Sequence, residues 1–334
     1  MNREIVRLLA EAGVTGAFGW QDVVIRQNYA MVPAPLGGSD LASMNLGFNL
    51  NVLSRGSPAF VAKCRDAGEP ELARSTAIRN FLAGDRPDGL SVSPAGIASS
   101  DRLTVQVSRF LPGSNLGDVI LRQSSTDYLR LLRTVLCGNA TLSRIAMSSP
   151  DLLEPHPAML SLATIASAVV NDAAELAKLD ATEHSALSAA VLAAGDMASR
   201  PQHGDFWPPN LLMTDGCVWV LDFDSYGEVR VPLLDDITFM LGTLGWRAKS
   251  LALGVEHFGS EHSEARACRA LLLERAGADG LTEPQIEGVI VYYLAHMALE
   301  VSRRSGSTYG TPHIDALRYA AHRLASGCRL NPSP

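Results

Sequence analysis

The pattern of apolar and polar positions changes its period near residue 112. Before that point, short segments alternate as half-buried strands do, and Phe48–Leu53 is the clearest of them. A turn cluster of Ser, Arg, Gly and Pro follows, and Ala59–Lys63 then predicts a second strand and a hairpin. Apolar residues at helical spacing predict one helix that begins near Pro70 and ends near Gly84. Leu103–Val107 predicts another strand.

After Pro112 and Gly113, which predict a hinge, Ala/Leu-rich helical patterns dominate the chain. They predict helices over residues 126–147, 158–179, 182–199, 234–254, 262–277, 283–304 and 311–326. In this helical part of the chain, strand patterns occur only within residues 203–224. The sequence therefore predicts two domains, a β-rich domain over residues 1–112 and a mainly helical domain over residues 113–334.

Composition narrows the classes of protein to consider. Hydrophobic residues make up 47% of the 334 residues and charged residues 19%, so a large core is expected and general disorder is not. The net charge of -7 and the absence of a basic block argue against a nucleic-acid partner. No signal peptide and no membrane-spanning segment are expected, so we predict a cytoplasmic protein without a membrane partner. The oligomeric state cannot be predicted.

The five cysteines form no CxxC pair and no zinc-binding spacing. We expect reduced, mostly buried thiols. The basic residues are unusually biased: of 28, only Lys63, Lys178 and Lys249 are lysine and the others are arginine. A lysine in this chain is therefore informative about what its position requires.

The segment HGDFWPPNLLMTDGCVWVLDFD, residues 203–224, carries the candidate chemistry. Leu211–Met213 and the buried strand expected at Cys217–Leu221 predict a hairpin around a Thr-Asp-Gly turn. A hairpin brings its open ends together, so Asp205, Asn210 and Asp222 are expected to be neighbours at one buried edge. Carboxylates at such an edge are costly without a partner. Magnesium prefers oxygen ligands of this kind, and the remaining acid can act as a base.

HGDFWPPN followed by LDFD resembles the catalytic loop and metal motif of the aminoglycoside phosphotransferase and choline kinase group of the protein-kinase-like superfamily. The resemblance implies an α+β, two-lobed fold with a small antiparallel-β lobe containing one helix and a larger, mainly α lobe. It implies that Asp205 is the catalytic base and that Asn210 and Asp222 bind Mg²⁺. ATP and Mg²⁺ are the implied cofactors.

The same resemblance gives supporting roles to the neighbours of these residues. His203 would brace the loop, and Asp235 matches a family acid that stabilises the lobe. Asp224 lies where relatives vary, so its role stays open. Trp207, within the loop, is expected to touch the substrate or to shape its entrance.

Upstream, Ala-Lys at the end of the second strand resembles the strand lysine that holds the phosphates of the nucleotide, which makes Lys63 a catalytic and nucleotide-binding candidate. Ser43 and Asn45 belong to a segment that resembles the phosphate-covering loop, and Gly37–Ser39 is a competing placement.

The segment VQVSRFLPG resembles the strand and linker whose backbone meets adenine. Hydrogen bonds to the base are therefore expected around residues 107–110, with Val107, Arg109 and Phe110 as candidates.

One departure from the family stands out. The helix after the strand lysine normally carries a glutamate that pairs with it, but residues 72–84 contain no acid. Glu69 and Glu71 lie at the start of the helix, too close to Lys63 in sequence to face it. Either another acid, such as Asp222, holds Lys63, or nucleotide binding is altered.

These motifs predict transfer of the γ-phosphoryl group of ATP to a hydroxyl of a small molecule such as a sugar, amino alcohol or antibiotic. A pseudokinase that binds nucleotide without catalysis is the first alternative, motivated by the missing helix acid. A protein kinase is the second, although the chain has no Ala-Pro-Glu motif and little room for an activation segment.

Overall fold

The computed structural model describes residues 2–16, 18–27, 30–33, 48–67, 70–84, 89–149, 153, 157–305 and 307–331. The phosphate-loop candidates Ser43 and Asn45, and the competing segment 37–39, lie outside the described residues. The chain divides into two compact units. Unit 1 comprises residues 1–86, 91–113 and 219–226, and unit 2 comprises residues 87–90, 114–218 and 227–334.

A six-stranded antiparallel sheet forms most of unit 1, with strand order β2-β1-β3-β4-β7-β6. The strands are β1 (Val23–Gln27), β2 (Ala30–Pro33), β3 (Phe48–Ser54), β4 (Ser57–Asp66), β6 (Ala95–Ser99) and β7 (Leu103–Arg109), and the short β5 (Leu90–Val92) precedes β6. Two helices accompany the sheet, α1 (Asn2–Glu11) and α2 (Pro70–Gly84). The sequence predicted β3, β4, α2 and β7, whereas α1 was not predicted.

The core of unit 1 lies between α1 and the sheet. Ile5, Leu8 and Leu9 of α1 are fully buried and join the same hydrophobic cluster as Leu50 and Val105. The backbone of the chain just after α1 comes very close to β6, where a Cβ on Gly96 would lie 1.8 Å from the carbonyl oxygen of Ala12. Only a glycine leaves room for this approach.

Unit 2 is mainly helical. Its helices are α3 (Leu116–Ile120), α4 (Ser125–Met147), α5 (Leu162–Ala177), α6 (Ala181–Ala194), α7 (Leu234–Ala248), α8 (Leu251–Phe258), α9 (Ser263–Ala278), α10 (Glu283–Ser305) and α11 (Ser307–Ala325). The remaining strands are β8 (Ser114–Asn115), β9 (Met159–Ser161), β10 (Asp196–Ala198), β11 (Leu211–Thr214) and β12 (Cys217–Val220), the last of which begins in unit 2 and ends in unit 1. A β-rich unit and a mainly helical unit confirm the predicted α+β, two-lobed fold class. The domain boundary after residue 112 stays a prediction.

Three of the predicted helices differ from the structure. The helix predicted over 234–254 is two helices, because Lys249 takes a left-handed conformation (φ 60°) that ends α7. The predicted 158–179 and 182–199 helices each include a strand, since Met159–Ser161 and Asp196–Ala198 pair antiparallel beside α5 and α6.

The cysteine prediction was partly wrong. All five thiols are free, but only Cys64 and Cys268 are buried, while Cys137, Cys217 and Cys328 are exposed. The apolar run at β12 therefore does not bury its first residue. Among the described residues, no helix is both long and apolar enough to cross a membrane. Cytoplasmic localisation stays a prediction.

Candidate active site

The catalytic-loop candidate, residues 203–210, is anchored by one buried carboxylate of unit 2. Asp235 accepts a hydrogen bond from the backbone N–H of His203 at 2.5 Å and another from the N–H of Gly204 at 3.0 Å. The backbone N–H of Asp235 in turn donates to Oε1 of Gln202 at 3.0 Å. These bonds fix the entry to the loop through backbone atoms, so they depend little on the loop's side chains.

Burial dominates the electrostatics of this anchor. Asp235 is only 2% exposed, and burial raises the pKa of its carboxyl to about 7. The two backbone N–H groups lower that pKa, whereas the charges of Asp236 and Asp205 raise it further. Asp235 is therefore a structural acid whose ionised form is costly in the native state.

Asp205 and Asn210 lie in direct contact. The side-chain amide nitrogen of Asn210 donates to Oδ2 of Asp205 at 2.8 Å and to the carbonyl oxygen of Asp205 at 2.9 Å. A short 3₁₀ turn, Pro208–Asn210, makes this contact possible, and Nδ2 of Asn115 donates to the carbonyl oxygen of Pro209 at 3.0 Å. Asp205 is exposed, so the expectation of a buried edge was wrong for this acid.

The aromatic residues of the loop divide between core and surface. Phe206 is fully buried, and its ring lies 5.7 Å from that of His203 and 5.8 Å from that of Phe239, both edge to face. Trp207 is 39% exposed and meets Trp246 edge to face at 6.3 Å. An exposed, laterally supported indole two residues after Asp205 can present its face to a ligand.

In unit 1, the ammonium of Lys63 contacts two carboxylates that lie about 160 residues later in the chain. Its Nζ is 2.6 Å from Oδ1 of Asp222 and 2.9 Å from Oδ2 of Asp224. Lys63 lies on β4, opposite Asn49 of β3 and Gln106 of β7, so the centre of the sheet fixes its backbone. The side chain is 17% exposed.

The turn that carries the two acids has a special backbone. Asp222 has φ 58°, a left-handed conformation that is uncommon outside glycine and that Asp tolerates better than most residues. The next residue, Phe223, is fully buried, and its ring lies 5.5 Å from that of Tyr226. The predicted proximity of Asp222 to Asp205 and Asn210 stays a prediction, since Asp222 belongs to unit 1 and the other two belong to unit 2.

Arginines surround Asp224. Nη2 of Arg74, on α2, donates to the carbonyl oxygen of Asp224 at 2.8 Å, and Nη2 of Arg65 lies 4.0 Å from Oδ2 of Asp224. Burial lowers the pKa of Arg79, also on α2, to about 10, while the charges of Asp224 and Asp222 counteract that shift. None of the three arginines was predicted, because no local spacing links them to an acid so far along the chain.

The strand whose backbone was expected to contact adenine, β7, is paired with strands on both sides. Val107 pairs with Ala62 of β4 on one side and with Gly96 of β6 on the other. Arg109 pairs with Phe60, and the backbone N–H of Phe110 donates to the carbonyl oxygen of Ala59 at 2.9 Å. The N–H of Phe110 is thus used within unit 1, and base contacts of residues 107–110 stay a prediction.

Each unit, taken by itself, offers an oxygen atom of the kind that a hard divalent cation binds. Because the amide nitrogen of Asn210 is engaged by Asp205, its amide oxygen is the atom suited to a cation. Asp222 supplies a carboxylate whose side chain is 42% exposed. Within the described part of the chain, no three His, Cys, Asp or Glu residues form a metal-binding group.

These features, a strand lysine bound to an acid and an Asp-Asn loop after His-Gly, define a protein of the protein-kinase-like fold. The sequence profile of APH, the phosphotransferase enzyme family, matches residues 48–229, which is more than half of the chain. The chain therefore belongs to this family. No curated protein matches it significantly.

Solved structures show the same fold at low identity. The chain is similar to the GDP and kanamycin complex of APH(2")-IIia, with 14% identity, a TM-score of 0.55, and coverage of 94% of this chain and 97% of that one. It is similar to the GDP complex of a mutant aminoglycoside 2'-phosphotransferase-IIIa, with 14% identity, a TM-score of 0.59 and coverage of 98% and 99%. A Ralstonia eutropha JMP134 protein assigned as an aminoglycoside phosphotransferase is 14% identical, with a TM-score of 0.57 and coverage of 98% and 97%.

Proposed function

We propose that this protein transfers the γ-phosphoryl group of ATP to a hydroxyl group of a small molecule. The observation that carries the proposal is the contact between Lys63 and Asp222, at 2.6 Å. A lysine held beside an acid supplies a cation for the phosphates and a carboxylate of the kind that Mg²⁺ binds. Membership of the phosphotransferase family supports the same reaction class.

Each candidate residue has a role that its surroundings support. Lys63 would neutralise the phosphates of the nucleotide, and Asp205 would orient the acceptor hydroxyl and take its proton. Asn210 and Asp222 would hold Mg²⁺, which would offset the negative charge of the phosphates. The bond from Asn210 to Asp205 keeps the carboxylate of Asp205 oriented, so catalysis would consist mainly of placement and charge stabilisation.

The acceptor is proposed as a class, a hydroxylated small molecule. Trp207 would form part of its pocket, since its indole is exposed and supported by Trp246. Flat apolar faces, such as those of sugar rings, and cationic amines both bind to indole faces. The complex of a structural neighbour with kanamycin supports including amino sugars and aminoglycosides among the first acceptors to test.

The first test measures nucleotide binding by thermal shift. ATP and GTP are titrated with and without MgCl₂ against the wild type, Asp222→Ala and the control Asp101→Asn, which removes an exposed carboxylate from the turn between β6 and β7. We expect a magnesium-dependent rise in Tm for the wild type and the control, and its loss in Asp222→Ala. The absence of a shift at millimolar nucleotide in folded wild type would contradict the proposal.

The second test separates catalysis from binding. Phosphate transfer from ATP is measured with a panel of amino sugars, aminoglycosides and amino alcohols, for the wild type and Asp205→Asn. Turnover that requires Asp205 supports the proposal. Nucleotide binding without turnover on any acceptor would favour the pseudokinase alternative, which the lack of an acid on α2 after Glu71 motivates.

A further inference from the structure

Helix α2 lacks the acid that the family uses to hold its strand lysine, yet Lys63 is not without a carboxylate partner. The sequence of α2, PELARSTAIRNFLAG, contains one acid, Glu71, in the first turn. The lysine instead meets two acids of the segment after β12, Asp222 at 2.6 Å and Asp224 at 2.9 Å. The two acids can therefore divide the work that one helix glutamate and one metal-binding aspartate do elsewhere.

The surroundings of Asp224 differ from those of Asp222. Asp224 has the less exposed side chain, 26% against 42%, and its backbone carbonyl is held by Arg74 of α2 at 2.8 Å. Arg65 lies 4.0 Å from the same carboxylate oxygen that contacts Lys63. Helix α2 thus contributes a cation, Arg74, that holds the segment carrying Asp224. In the family pattern, the same helix contributes an acid that holds the lysine.

We propose that Asp224 is the positioning residue of Lys63, holding its ammonium in place for the phosphates in the role of the absent helix acid. This inference rests on the proposed function, in which Asp222 is committed to Mg²⁺. An acid bound to the metal has less charge to share with Lys63, so a second, anchored carboxylate keeps the lysine oriented when nucleotide is bound.

A double-mutant cycle tests whether Asp224 acts through Lys63. The Kd of MgATP, with MgGTP in parallel, is measured by calorimetry for the wild type, Asp224→Asn, Lys63→Met and the double variant, with Asp101→Asn as the matched control. We expect Asp224→Asn to weaken binding by about tenfold in the wild-type background. In the Lys63→Met background the same change should have almost no effect.

A nuclear magnetic resonance readout tests the contact without activity. Lysine labelled with ¹³C at Cε gives three side-chain signals, because the chain has only three lysines, and Lys63→Arg assigns the one of interest. In the presence of saturating MgATP, Asp224→Asn should move the Lys63 signal, whereas Asp101→Asn should leave it unchanged. An unmoved signal would overturn the inference.

The outcomes separate this inference from the function on which it rests. If the wild type binds neither nucleotide, the proposed function fails and the inference fails with it. If the wild type binds but Asp224→Asn binds equally well, or loses the same affinity in both backgrounds, only the inference fails, and an equal loss would favour a direct role of Asp224 in metal binding. Should Asp224→Asn not fold, Arg74→Leu gives the same cycle, because it releases the carbonyl oxygen of Asp224.

Discussion

The loop of residues 203–210 in unit 2 and the lysine cluster of unit 1 (Lys63, Asp222 and Asp224) are held by different forces. The loop is fixed through backbone N–H groups that donate to the buried carboxylate of Asp235. The cluster is fixed by ion pairs between partly exposed side chains. Removing the acceptor of buried backbone N–H groups is costly, whereas ion pairs between partly exposed side chains contribute little to stability. We therefore expect the anchor of the loop to matter for folding, and the cluster to matter for function and little for folding.

The largest expected effect tests whether the loop also carries catalysis. Asp205→Asn should lower kcat by about 10²–10⁴-fold, because the amide cannot accept the proton of the acceptor hydroxyl. The variant should keep the Tm of the wild type, since Asp205 is exposed. The check is a kinetic assay with the best acceptor of the panel, with Asp172→Asn, an exposed helix residue, as control. Unchanged kcat would remove Asp205 from the mechanism.

The next largest effect concerns the anchor of the loop. Asp235→Asn should lower the free energy of unfolding by about 2–3 kcal/mol, because an amide has one acceptor oxygen for two backbone donors. Urea denaturation at pH 8 measures this loss. A loss of about 1 kcal/mol or less, which is the loss expected for Lys63→Met below, would show that the loop anchor matters no more for folding than the lysine cluster does.

The wild type and Asp235→Asn should also differ in how their free energy of unfolding depends on pH. The pKa of Asp235 is raised from 3.8 to about 7, so between these values the native state binds more protons than the unfolded state. The free energy of unfolding contributed by Asp235 should therefore fall as pH rises from about 4 to about 7, and stay low above it. Denaturation of the wild type and Asp235→Asn from pH 5 to 8 should show the stability advantage of the wild type shrinking. A widening advantage would contradict the raised pKa.

A buried polar network in unit 1 is expected to contribute an intermediate amount to the free energy of unfolding. Nε2 of Gln106 donates to Oγ1 of Thr76 at 2.8 Å, and its Oε1 accepts from Arg79 at 3.4 Å. Gln106→Met should cost about 1–2 kcal/mol of unfolding free energy, because it leaves buried groups of α2 without a partner. Thermal denaturation checks this value, with Gln21→Met on the surface of the same unit as control. A neutral outcome would mean that the network stabilises nothing.

The smallest expected effect on stability is that of Lys63→Met, and it tests the difference between the loop and the lysine cluster most directly. Lys63→Met should cost about 1 kcal/mol of stability or less, although it removes two ion pairs, because Asp222 remains well hydrated. The same variant should lose most of its affinity for MgATP. Urea denaturation and calorimetry on one preparation give both numbers, and a large loss of stability would make Lys63 a structural residue.

Local spacing allowed part of unit 1 and the contact within the loop to be predicted, whereas α1, β1, β2 and β6 were not predicted. Strands β3, β4 and β7 and helix α2 follow from short-range periodicity, and the contact between Asp205 and Asn210 was expected because both lie just before the predicted hairpin. The partners of Lys63 could only be guessed, since its contacts join residues 159 and 161 positions apart. The break at Lys249 also escaped prediction, because no glycine or proline marks the left-handed turn there.

The close approach of Ala12 to Gly96 has an evolutionary consequence. Any side chain at position 96 would displace the N-terminal segment from the sheet, since its first carbon would overlap the carbonyl oxygen of Ala12. In a comparison of relatives, glycine at this position should therefore accompany an N-terminal helix that packs as α1 does. Relatives that have lost the helix are released from this constraint and are free to vary there, which makes position 96 a marker for dividing the family into subgroups.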